Sequence, residues 1–489
     1  MKKIFTFLCI LLLAQTLLAQ KIKIDYSPQY KSESIWFYSQ YLGSFNNGPV
    51  ILRGRYIENY SAELELVSSK ELDWKKVKSL NLNKFQHDLM LNDKMYVFAS
   101  GVKSKINSLY ALTYSIENSE QSDLTKIDQL VTEEADWNAV LSDSKKSFYI
   151  KSWVQLTKAQ KKDNKNTREH EMIIKEFDPS FNILGEYKIE LPYAGDEFVV
   201  HSNLISNSNV YFLVSVVDNQ AKKRKKVSPS GFYLLKYEMQ TGKLSEEELT
   251  LANASVISGV KLFATPDKII VGGMCRKEMK GNNSGFVLSV HNAATLYKEM
   301  ETKTEFGVDV YQSIYPKKKF SKEKDLSIDY MSFKTAHIKA NGNIILIGEV
   351  NYTVTKQSGS FNTTYRHTNE LIATEFLPNG EVAWQKGINK RQENNLQESS
   401  QLSCISLIRN NQLNLIHFDY AVNPDPGLIC TTIDENGTIK NQLLFGPKQA
   451  EDLYIGGAEL YSASDNELIL ILPKIKKYKI LRIHLPTKS

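Results

Sequence analysis

The chain has 489 residues, 42% hydrophobic and 24% charged, as in ordinary folded proteins, and its 25 tyrosines and 21 phenylalanines favour β structure. Its 61 basic and 55 acidic residues give a net charge of +6, or about +4 (59 against 55) without the two lysines at positions 2 and 3. So small a charge excludes a strongly basic nucleic-acid-binding protein, and no nucleic-acid partner is expected.

The N-terminus has the pattern of a secretory signal peptide over residues 1–19. A basic start precedes an apolar run from Ile4 to Leu13, and the small residue Ala19 stands where the sequence turns polar. The alternative, an uncleaved membrane anchor, needs a longer apolar span. No later window holds about 18 continuous apolar residues, so no transmembrane segment is expected after cleavage. We expect an exported protein that is periplasmic, on the cell surface or secreted.

Eight short apolar runs recur along the chain, each introduced by a turn-forming cluster of residues such as Asn, Asp, Gly and Ser. Apolar residues on both sides of a strand indicate burial on both faces, as in an inner strand packed between neighbouring sheets. The runs are Pro49–Tyr56, Met95–Ser100, Ser147–Val154, Tyr211–Val217, Lys268–Met274, Ile344–Val350, Leu413–Phe418 and Leu468–Leu472.

A second hairpin follows each of the first seven runs, for example Leu371–Leu377 and Val382–Trp384 around an Asn-Gly turn. A repeated unit of four antiparallel strands is typical of a propeller blade. The sequence therefore predicts an all-β fold, a single β-propeller of seven to eight four-stranded antiparallel blades. The predicted domain is 20–489, with blades at about 46–82, 86–131, 136–192, 197–251, 257–315, 329–390, 400–446 and 452–487.

The last unit, Glu459–Leu485, shows only three strands, and we expect the mature N-terminal segment Lys21–Tyr26 to add a fourth and close the ring. The insertion from about Met300 to Leu326 is expected to hold a short helix. The alternative architecture is a pair of separate β domains, although no Pro-, Gly- or Ser-rich linker divides the chain.

Two outer hairpins, Leu234–Leu244 and Thr374–Trp384, resemble those of exported bacterial propeller repeats. The Ala19-Gln20 junction and the Lys- and Asn-rich style of the chain resemble exported proteins of Bacteroidetes-type bacteria. The resemblance implies a multi-bladed β-propeller repeat protein that acts outside the cytoplasm. It implies no particular activity, because Trp-Asp repeat endings, paired-glycine kelch signatures and sialidase boxes are absent.

Basic residues concentrate in the loops between predicted second and third strands, which share one propeller face with the connections between blades. A shared face would collect them into a positive rim that attracts an anionic glycan, a lipid headgroup or an acidic protein partner. The alternative is that these charged loops are merely solvated. The candidate ligand-binding residues in the loops are Lys162, Arg168, Arg224, Lys225 and Arg276.

Acidic residues recur between the predicted blades, just before the next inner strand. If they converge on the channel mouth, they could bind a cation or act as acid and base, since glycoside hydrolysis needs two facing carboxylates. The alternative is that they accept backbone N–H bonds and fix the connections. These candidates are Asp88, Asp136, Asp196, Glu197 and Asp452.

Metal and cofactor chemistry has little support. His201, His337 and Cys404 fall on predicted innermost strands, but their spacing matches no zinc pattern, so packed side chains are favoured and no metal or cofactor is expected. Cys404 and Cys430 are predicted on the first and third strands of one blade, two ladder steps of about 4.8 Å apart, which exceeds the reach of a disulfide. Free thiols are therefore expected.

The preferred interpretation is a non-catalytic binding or interaction protein that presents one propeller face to a protein partner or an anionic glycan. The alternative is a glycan-processing hydrolase or lyase with carboxylates at the channel mouth. Two carboxylates about 5 to 9 Å apart in one pocket would favour the enzyme, and their absence would favour binding. A third interpretation is a component of a larger envelope assembly.

Overall fold

The structure is a computed structural model. It describes residues 23–31, 39–53, 56–71, 84–91, 94–103, 106–118, 120–130, 135–155, 170–193, 198–217, 229–250, 256–276, 282–315, 328–358, 361–395, 404–419, 427–446, 459–464, 466–474 and 477–485.

The first half of the described chain consists of strands that form sheets 1 to 4. Two short N-terminal strands, β1 (Lys23–Tyr26) and β2 (Tyr30–Lys31), precede them. Sheet 1 contains β3 (Ser39–Phe45), β4 (Gly48–Arg53), β5 (Tyr56–Tyr60) and β6 (Leu66–Glu71). Sheet 2 contains β7 (Lys84–Leu91), β8 (Lys94–Lys103), β9 (Ile106–Ser115), β10 (Glu120–Gln121) and β11 (Thr125–Leu130). Sheet 3 contains β12 (Ala135–Leu141), β13 (Phe148–Gln155), β14 (His170–Phe177) and β15 (Ile183–Glu190). Sheet 4 contains β16 (Phe198–Ser206), β17 (Asn209–Val217), β18 (Pro229–Glu238) and β19 (Leu244–Leu249).

The second half repeats the pattern in sheets 5 to 8, with one helix between sheets 5 and 6. Sheet 5 contains β20 (Val256–Ala264), β21 (Lys268–Arg276), β22 (Asn283–Asn292) and β23 (Lys298–Glu305), and α1 (Val308–Ile314) follows it. Sheet 6 contains β24 (Met331–Ile338), β25 (Ile344–Ser358), β26 (Phe361–Phe376), β27 (Val382–Ile388) and β28 (Glu393–Asn395). Sheet 7 contains β29 (Ile405–Arg409), β30 (Gln412–Asp419), β31 (Gly427–Ile433) and β32 (Ile439–Phe445). Sheet 8 contains β33 (Glu459–Ser464), β34 (Glu467–Lys474) and β35 (Lys477–His484), joined by β1 and β2.

The apolar runs of the sequence lie on the second strands of the sheets, except that the first run, Pro49–Tyr56, extends from β4 to the first residue of β5. The second strand β21 has seven consecutive buried residues, whereas the fourth strand of sheet 7, β32, is exposed over its first five. Burial on both faces therefore explains the near-continuous apolar sequence of the second strands. The antiparallel four-stranded units confirm the predicted all-β fold of β-propeller blades.

The ends of the described chain meet in sheet 8. Strand β1 pairs antiparallel with β35, so that Lys23 lies opposite His484 and Tyr26 opposite Leu481. The N-terminal segment thus supplies the fourth strand of this sheet, as its alternating sequence predicts. That the sheets close into a full ring stays a prediction, and so does a single domain over residues 20–489. Sheet 1 begins at Ser39, ahead of the predicted boundary at residue 46.

Apolar cores lie between successive sheets within two compact units. Sheets 7, 8 and most of sheet 1 form one unit, and sheets 2 to 6 form the other. In the first unit, Leu428 and Leu481 contribute to the core between sheets 7 and 8, and Ile51 and Ile480 to the core between sheets 8 and 1. In the second, each sheet from 2 to 5 packs on the next through such a core.

The short helix lies where the insertion predicts one. Val310, Tyr311 and Ile314 of α1 are buried in the core between sheets 5 and 6. None of the helices in the described ranges is long and apolar enough to cross a membrane.

Candidate functional site

Most of the candidate residues from the sequence cannot be placed in a site. Asp196, Glu197, Asp452, Lys162, Arg168, Arg224 and Lys225 lie outside the described residues. The expectation that Asp88 and Asp136 lie between blades is corrected, because both lie within the first strands of sheets 2 and 3; that they bind a ligand stays a prediction. Asp88 is opposite Val97 in sheet 2, and Asp136 is opposite Trp153 in sheet 3.

Arg276 is the predicted site residue whose contacts are described. It ends the second strand of sheet 5, where its Nε donates a hydrogen bond of 3.0 Å to Asn283 Oδ1. The Ser258 hydroxyl donates to the same oxygen at 2.9 Å, and Asn283 Nδ2 donates to the main-chain oxygen of Met331 in sheet 6. Arg276 therefore supports the contact between sheets 5 and 6 and contributes one positive charge to it.

Arg276 and Asn283 mark the edge of the sheets where the basic loops attach. In each four-stranded unit, the first strand begins and the second strand ends at the same edge, which is called the loop edge from here on. The first strands of sheets 4, 5 and 6 (β16, β20 and β24) lie side by side, because β20 contacts both of the others. Side chains near their loop-edge ends are thus brought together from three sheets.

Three lysines and one glutamate form a cluster at the loop edge of sheets 5 and 6, called the lysine cluster. Lys334 Nζ lies 3.3 Å from Glu349 Oε2, and Lys390 Nζ lies 2.8 Å from Glu349 Oε1. Lys261 Nζ donates instead to the main-chain oxygen of Lys334 at 3.1 Å. Two of the three ammonium groups contact the one carboxylate, so these four side chains together carry two positive charges in excess.

β-Bulges explain why lysines from first strands reach this position. The register of β20 shifts between Ser258 and Lys261, and that of β24 shifts between Phe333 and Thr335, so Lys334 is the extra residue. Gly259 has φ +62°, the left-handed conformation that glycine adopts without strain. A bulge redirects side chains from the regular alternation, here those of Lys261 and Lys334.

The environment of the cluster differs between its members. Lys390 is fully buried and also donates to the Thr368 main-chain oxygen at 2.8 Å and to Gln392 Oε1 at 2.7 Å, whereas Lys261 is exposed. Although the side chain of Lys261 is exposed overall, partial desolvation of its ammonium group and then the charge of Lys334 lower the pKa of Lys261 below its ordinary value. An anion bound near both ammonium groups would reduce the repulsion between Lys261 and Lys334.

The histidines of the first strands lie apart from this cluster. His201 is the bulge residue of β16, and its Nε2 makes a hydrogen bond of 2.7 Å with Ser215 Oγ. Burial lowers the pKa values of His201 and His337, which favours their neutral forms near pH 7. Across the described ranges, no three His, Cys, Asp or Glu side chains are grouped as metal ligands, and that the protein needs no metal stays a prediction. Cys404 and Cys430 are thiols, as their strand positions predict.

Lys151 is a second unusual cation in the same unit. It is 8% exposed, and its Nζ donates a 2.7 Å hydrogen bond to Asn203 Oδ1 across sheets 3 and 4. Among the described residues, no carboxylate lies within ion-pair distance of it. Burial lowers its pKa to about 8. Lys151 is therefore held partly as a neutral amine in mildly alkaline solution.

A buried ionic network lies in the other unit, between sheets 1 and 8. Glu58, 1% exposed, accepts hydrogen bonds from Arg53 Nη2 at 2.6 Å, from the Tyr60 hydroxyl at 2.7 Å and from the Tyr478 hydroxyl at 3.0 Å. Burial lowers the pKa of Arg53, but the hydrogen bonds and charge of Glu58 outweigh it and raise that pKa. Burial and the same carboxylate raise the pKa of Tyr478. Each charge has its partner, so this network stabilises the contact between the sheets.

The lysine cluster was not predicted from the sequence. A usable signal was present, because Lys261 is a charged residue in a largely apolar first strand that Gly259 interrupts, and Lys334 is a charged residue within another first strand. The partners Glu349 and Lys390 carried no such signal, since only the fold brings them together.

Comparison with known proteins gives no family. No protein-family model and no curated protein matches the chain. Among solved structures, similarity extends to an ulvan lyase of polysaccharide lyase family PL25 bound to -[GlcA(1-4)Rha3S]-, at 10% identity over 82% of this chain and 92% of that one, with a TM-score of 0.39. The polysaccharide lyase Uly1 is 9% identical over 94% and 99%, with a TM-score of 0.38. The β-propeller domain of Nup133 from Vanderwaltozyma polyspora is 11% identical over 82% and 100%, with a TM-score of 0.36. Similarities of this size carry no inference about function.

Proposed function

We propose that this chain is an exported, non-catalytic binding protein that holds an anionic glycan at the lysine cluster on the loop edge of sheets 5 and 6. Export is proposed from the signal-peptide pattern of residues 1–19. The charges at the loop edge support an anionic ligand, because Lys261 lies beside the positive charge of Lys334 and a bound negative group would reduce the repulsion between them.

One observation carries the proposal. Lys261 is exposed, and its ammonium group bonds to a main-chain carbonyl; within the described ranges no carboxylate lies at ion-pair distance from it. An exposed lysine beside a second lysine adds repulsion to the folded protein. Carboxylate or sulfate groups of a glycan would remove that repulsion and replace water with charge-assisted hydrogen bonds.

A binding titration tests the proposal. Oligogalacturonate, a chain of uronic acids, is titrated into the protein at low and at moderate ionic strength. The Lys261→Ala/Lys334→Ala double variant should bind about tenfold more weakly, since each lost contact contributes up to about 1 kcal/mol, and its affinity should depend less on salt. Lys440→Ala serves as the matched control, because Lys440 is an exposed lysine on the outer strand of sheet 7. Unchanged affinity in the double variant, or binding that salt does not weaken, would refute the proposed site.

The same incubation separates binding from degradation. The alternative function is a glycan-processing hydrolase or lyase, and either activity would shorten the oligogalacturonate over time. Glu349, the carboxylate of the cluster, is held in ion pairs with Lys334 and Lys390. We therefore expect an intact ligand by chromatography. New reducing ends or unsaturated uronates would establish the enzymatic alternative instead.

A further inference from the structure

A long hairpin, called the ribbon from here on, extends beyond the loop edge of sheet 6. Its strands β25 and β26 have 15 and 16 residues and remain paired from Asn351 opposite Thr368 to Ser358 opposite Phe361. The first strand β24 pairs only with the part of β25 from Ile344 to Val350.

The two faces of the ribbon differ in chemistry. Cross-strand partners share a face, and the pairs Tyr352–His367, Val354–Tyr365 and Lys356–Thr363 alternate with the pairs that make up the other face. One face thus carries three rings and a lysine. The other face is wholly polar, with the pairs Asn351–Thr368, Thr353–Arg366, Thr355–Thr364 and Gln357–Asn362.

The rings continue into a stack that ends at Tyr330. Tyr352 and His367 are stacked, with centroids 4.6 Å apart and planes 8° from parallel, and Tyr330 packs on Tyr352 at 5.3 Å. Tyr330 is 67% exposed, so it ends the stack in solvent. The Asn351 amide donates to the Tyr330 main-chain oxygen at 3.1 Å, which ties the stack to the start of the ribbon.

The backbone at Tyr330 is strained. Its φ is +58°, in the left-handed region, which a bulky residue other than glycine rarely occupies. Strain of this kind persists only where the surrounding structure imposes it, and it is concentrated at functional sites. Burial does not account for a tyrosine here, because the ring is largely in water.

Charges beside the stack indicate what the ring could meet. Lys356 Nζ lies 4.4 Å from the centre of the Tyr365 ring and 3.2 Å from Glu393 Oε1. The lysine cluster adjoins the base of the ribbon, since Glu349 lies only two residues before Asn351 on the same strand. Two carboxylates, Asp329 and Glu370, lie close enough to Tyr315 to raise its pKa, after burial, to about 12. Flat rings rimmed by charged groups suit a polar ligand with a flat apolar face, as a pyranose ring has.

We propose that Tyr330 is a stacking platform for a sugar ring of the bound anionic glycan, supported from behind by Tyr352 and His367. The inference rests on the proposed function and extends it, because it assigns the carbohydrate ring to the aromatic stack and the negative groups to the lysine cluster. A polyanion without rings would then use the lysines alone.

Tyr330→Asn is the decisive variant, because it removes the ring at a position whose backbone conformation asparagine tolerates better than tyrosine. Thermal unfolding checks that the variant is folded, so that a loss of binding can be assigned to the missing ring. Oligogalacturonate should bind the variant about three- to tenfold more weakly, the size expected for one aromatic contact. Its salt dependence should be unchanged, and Tyr330→Phe should bind as the unmodified protein does.

Two controls make the result specific. Inorganic polyphosphate, a polyanion without sugar rings, should bind Tyr330→Asn with unchanged affinity. Tyr297→Ala, which removes another exposed tyrosine, 71% exposed in sheet 5, should leave oligogalacturonate binding unchanged.

The outcomes separate the platform from the proposed function. If Tyr330→Asn binds oligogalacturonate normally while the Lys261→Ala/Lys334→Ala variant does not, the platform is wrong and the proposed function stands. If neither variant alters the affinity, or the unmodified protein binds no oligogalacturonate, both are wrong. Equal weakening of polyphosphate and oligogalacturonate by Tyr330→Asn would also overturn the stacking role.

Discussion

Two ionic groups in the molecule differ in how completely their charges are paired. In sheets 1 and 8, the Glu58 carboxylate accepts hydrogen bonds from Arg53 and from the hydroxyl groups of Tyr60 and Tyr478. Glu58 and both tyrosines are buried. In sheets 5 and 6, the lysine cluster has three ammonium groups for one carboxylate, two of which contact it, and Lys261 is exposed. The charges around Glu58 are balanced, whereas the lysine cluster, with more ammonium groups than carboxylates among its four side chains, would gain by binding an anion. Completeness of pairing, rather than the number of charges, distinguishes the structural group from the candidate site.

The largest effect on stability should come from a substitution of Glu58, which removes the negative charge of the buried ionic network. Glu58→Gln leaves the Arg53 guanidinium buried without its counter-charge, which should destabilise the unit that holds sheets 1 and 8 by about 3–5 kcal/mol. Urea unfolding followed by fluorescence measures the change. Glu63→Gln, which alters an exposed glutamate in sheet 1, should shift the transition little. A small effect of Glu58→Gln would contradict the structural role given to this network.

At Lys151, in the second unit, removal of a buried charge should raise the stability of the protein rather than lower it. Because burial lowers its pKa from 10.5 to about 8, the unfolded chain binds more protons than the folded one between these values. Stability should therefore rise with pH from about 8 to 10.5. Lys151→Met removes the buried charge and should stabilise the protein at pH 7 by about 2 kcal/mol, allowing for the lost bond to Asn203.

The pH profile is the check on Lys151. The stability difference between Lys151→Met and the unmodified protein should shrink as pH rises from about 8 to 10.5, because the folded protein then holds the lysine neutral while protonation stabilises the unfolded chain less and less. A difference that stays constant over this range would show that Lys151 is not a desolvated amine.

A smaller effect is expected at the N-terminal strand. Burial raises the pKa of Asp25, but hydrogen bonds and charges from His484 and Lys23 outweigh it and lower that pKa. The stabilisation is then present above the ordinary value of 3.8 and is lost as pH falls through the lowered one. Asp25→Asn should cost about 0.5–1 kcal/mol at neutral pH, because the pair is partly exposed. Equal stability of the two proteins at pH 7 would show that the Asp25–His484 contact contributes nothing.

The smallest effect on stability should come from a substitution of Lys261 in the lysine cluster. Lys261→Met removes a repelling charge without breaking an ion pair, so it should leave stability unchanged or raise it by about 0.5 kcal/mol. The same change should lower oligogalacturonate affinity. Weaker binding without a loss of stability would show that Lys261, unlike Glu58, serves the ligand rather than the fold. A clear loss of stability would show that Lys261 has a structural role as well.

The fold could be predicted from the sequence because the strongest pattern in it reports burial. The second strands are buried on both faces, and their apolar runs, such as Lys268–Met274 and Leu468–Leu472, mark every sheet. The first strands were harder to interpret, since bulges at His201 and Lys334 break the alternation that identifies a strand.

The candidate site could be predicted only in its chemistry. Basic loops indicated an anionic ligand, but Arg276 is the one predicted basic residue whose contacts are described, and it joins two sheets. The lysine cluster combines residues from β20, β24, β25 and the segment after β27, and its outermost members, Lys261 and Lys390, are 129 residues apart in sequence. Hydrophobic patterns specify which face of a strand is buried, not which side chains of different strands meet.

The pairing of β1 with β35 has a consequence for the order of folding. The bond between Asp25 and His484 joins residues 459 positions apart, and β1 cannot find its partner until β35 has been made. Contacts of such sequence separation form slowly, because the loop between them must be closed first. Sheet 8 should therefore be the last to complete, and a chain shortened before residue 477 should leave β1 without the strand on which it pairs.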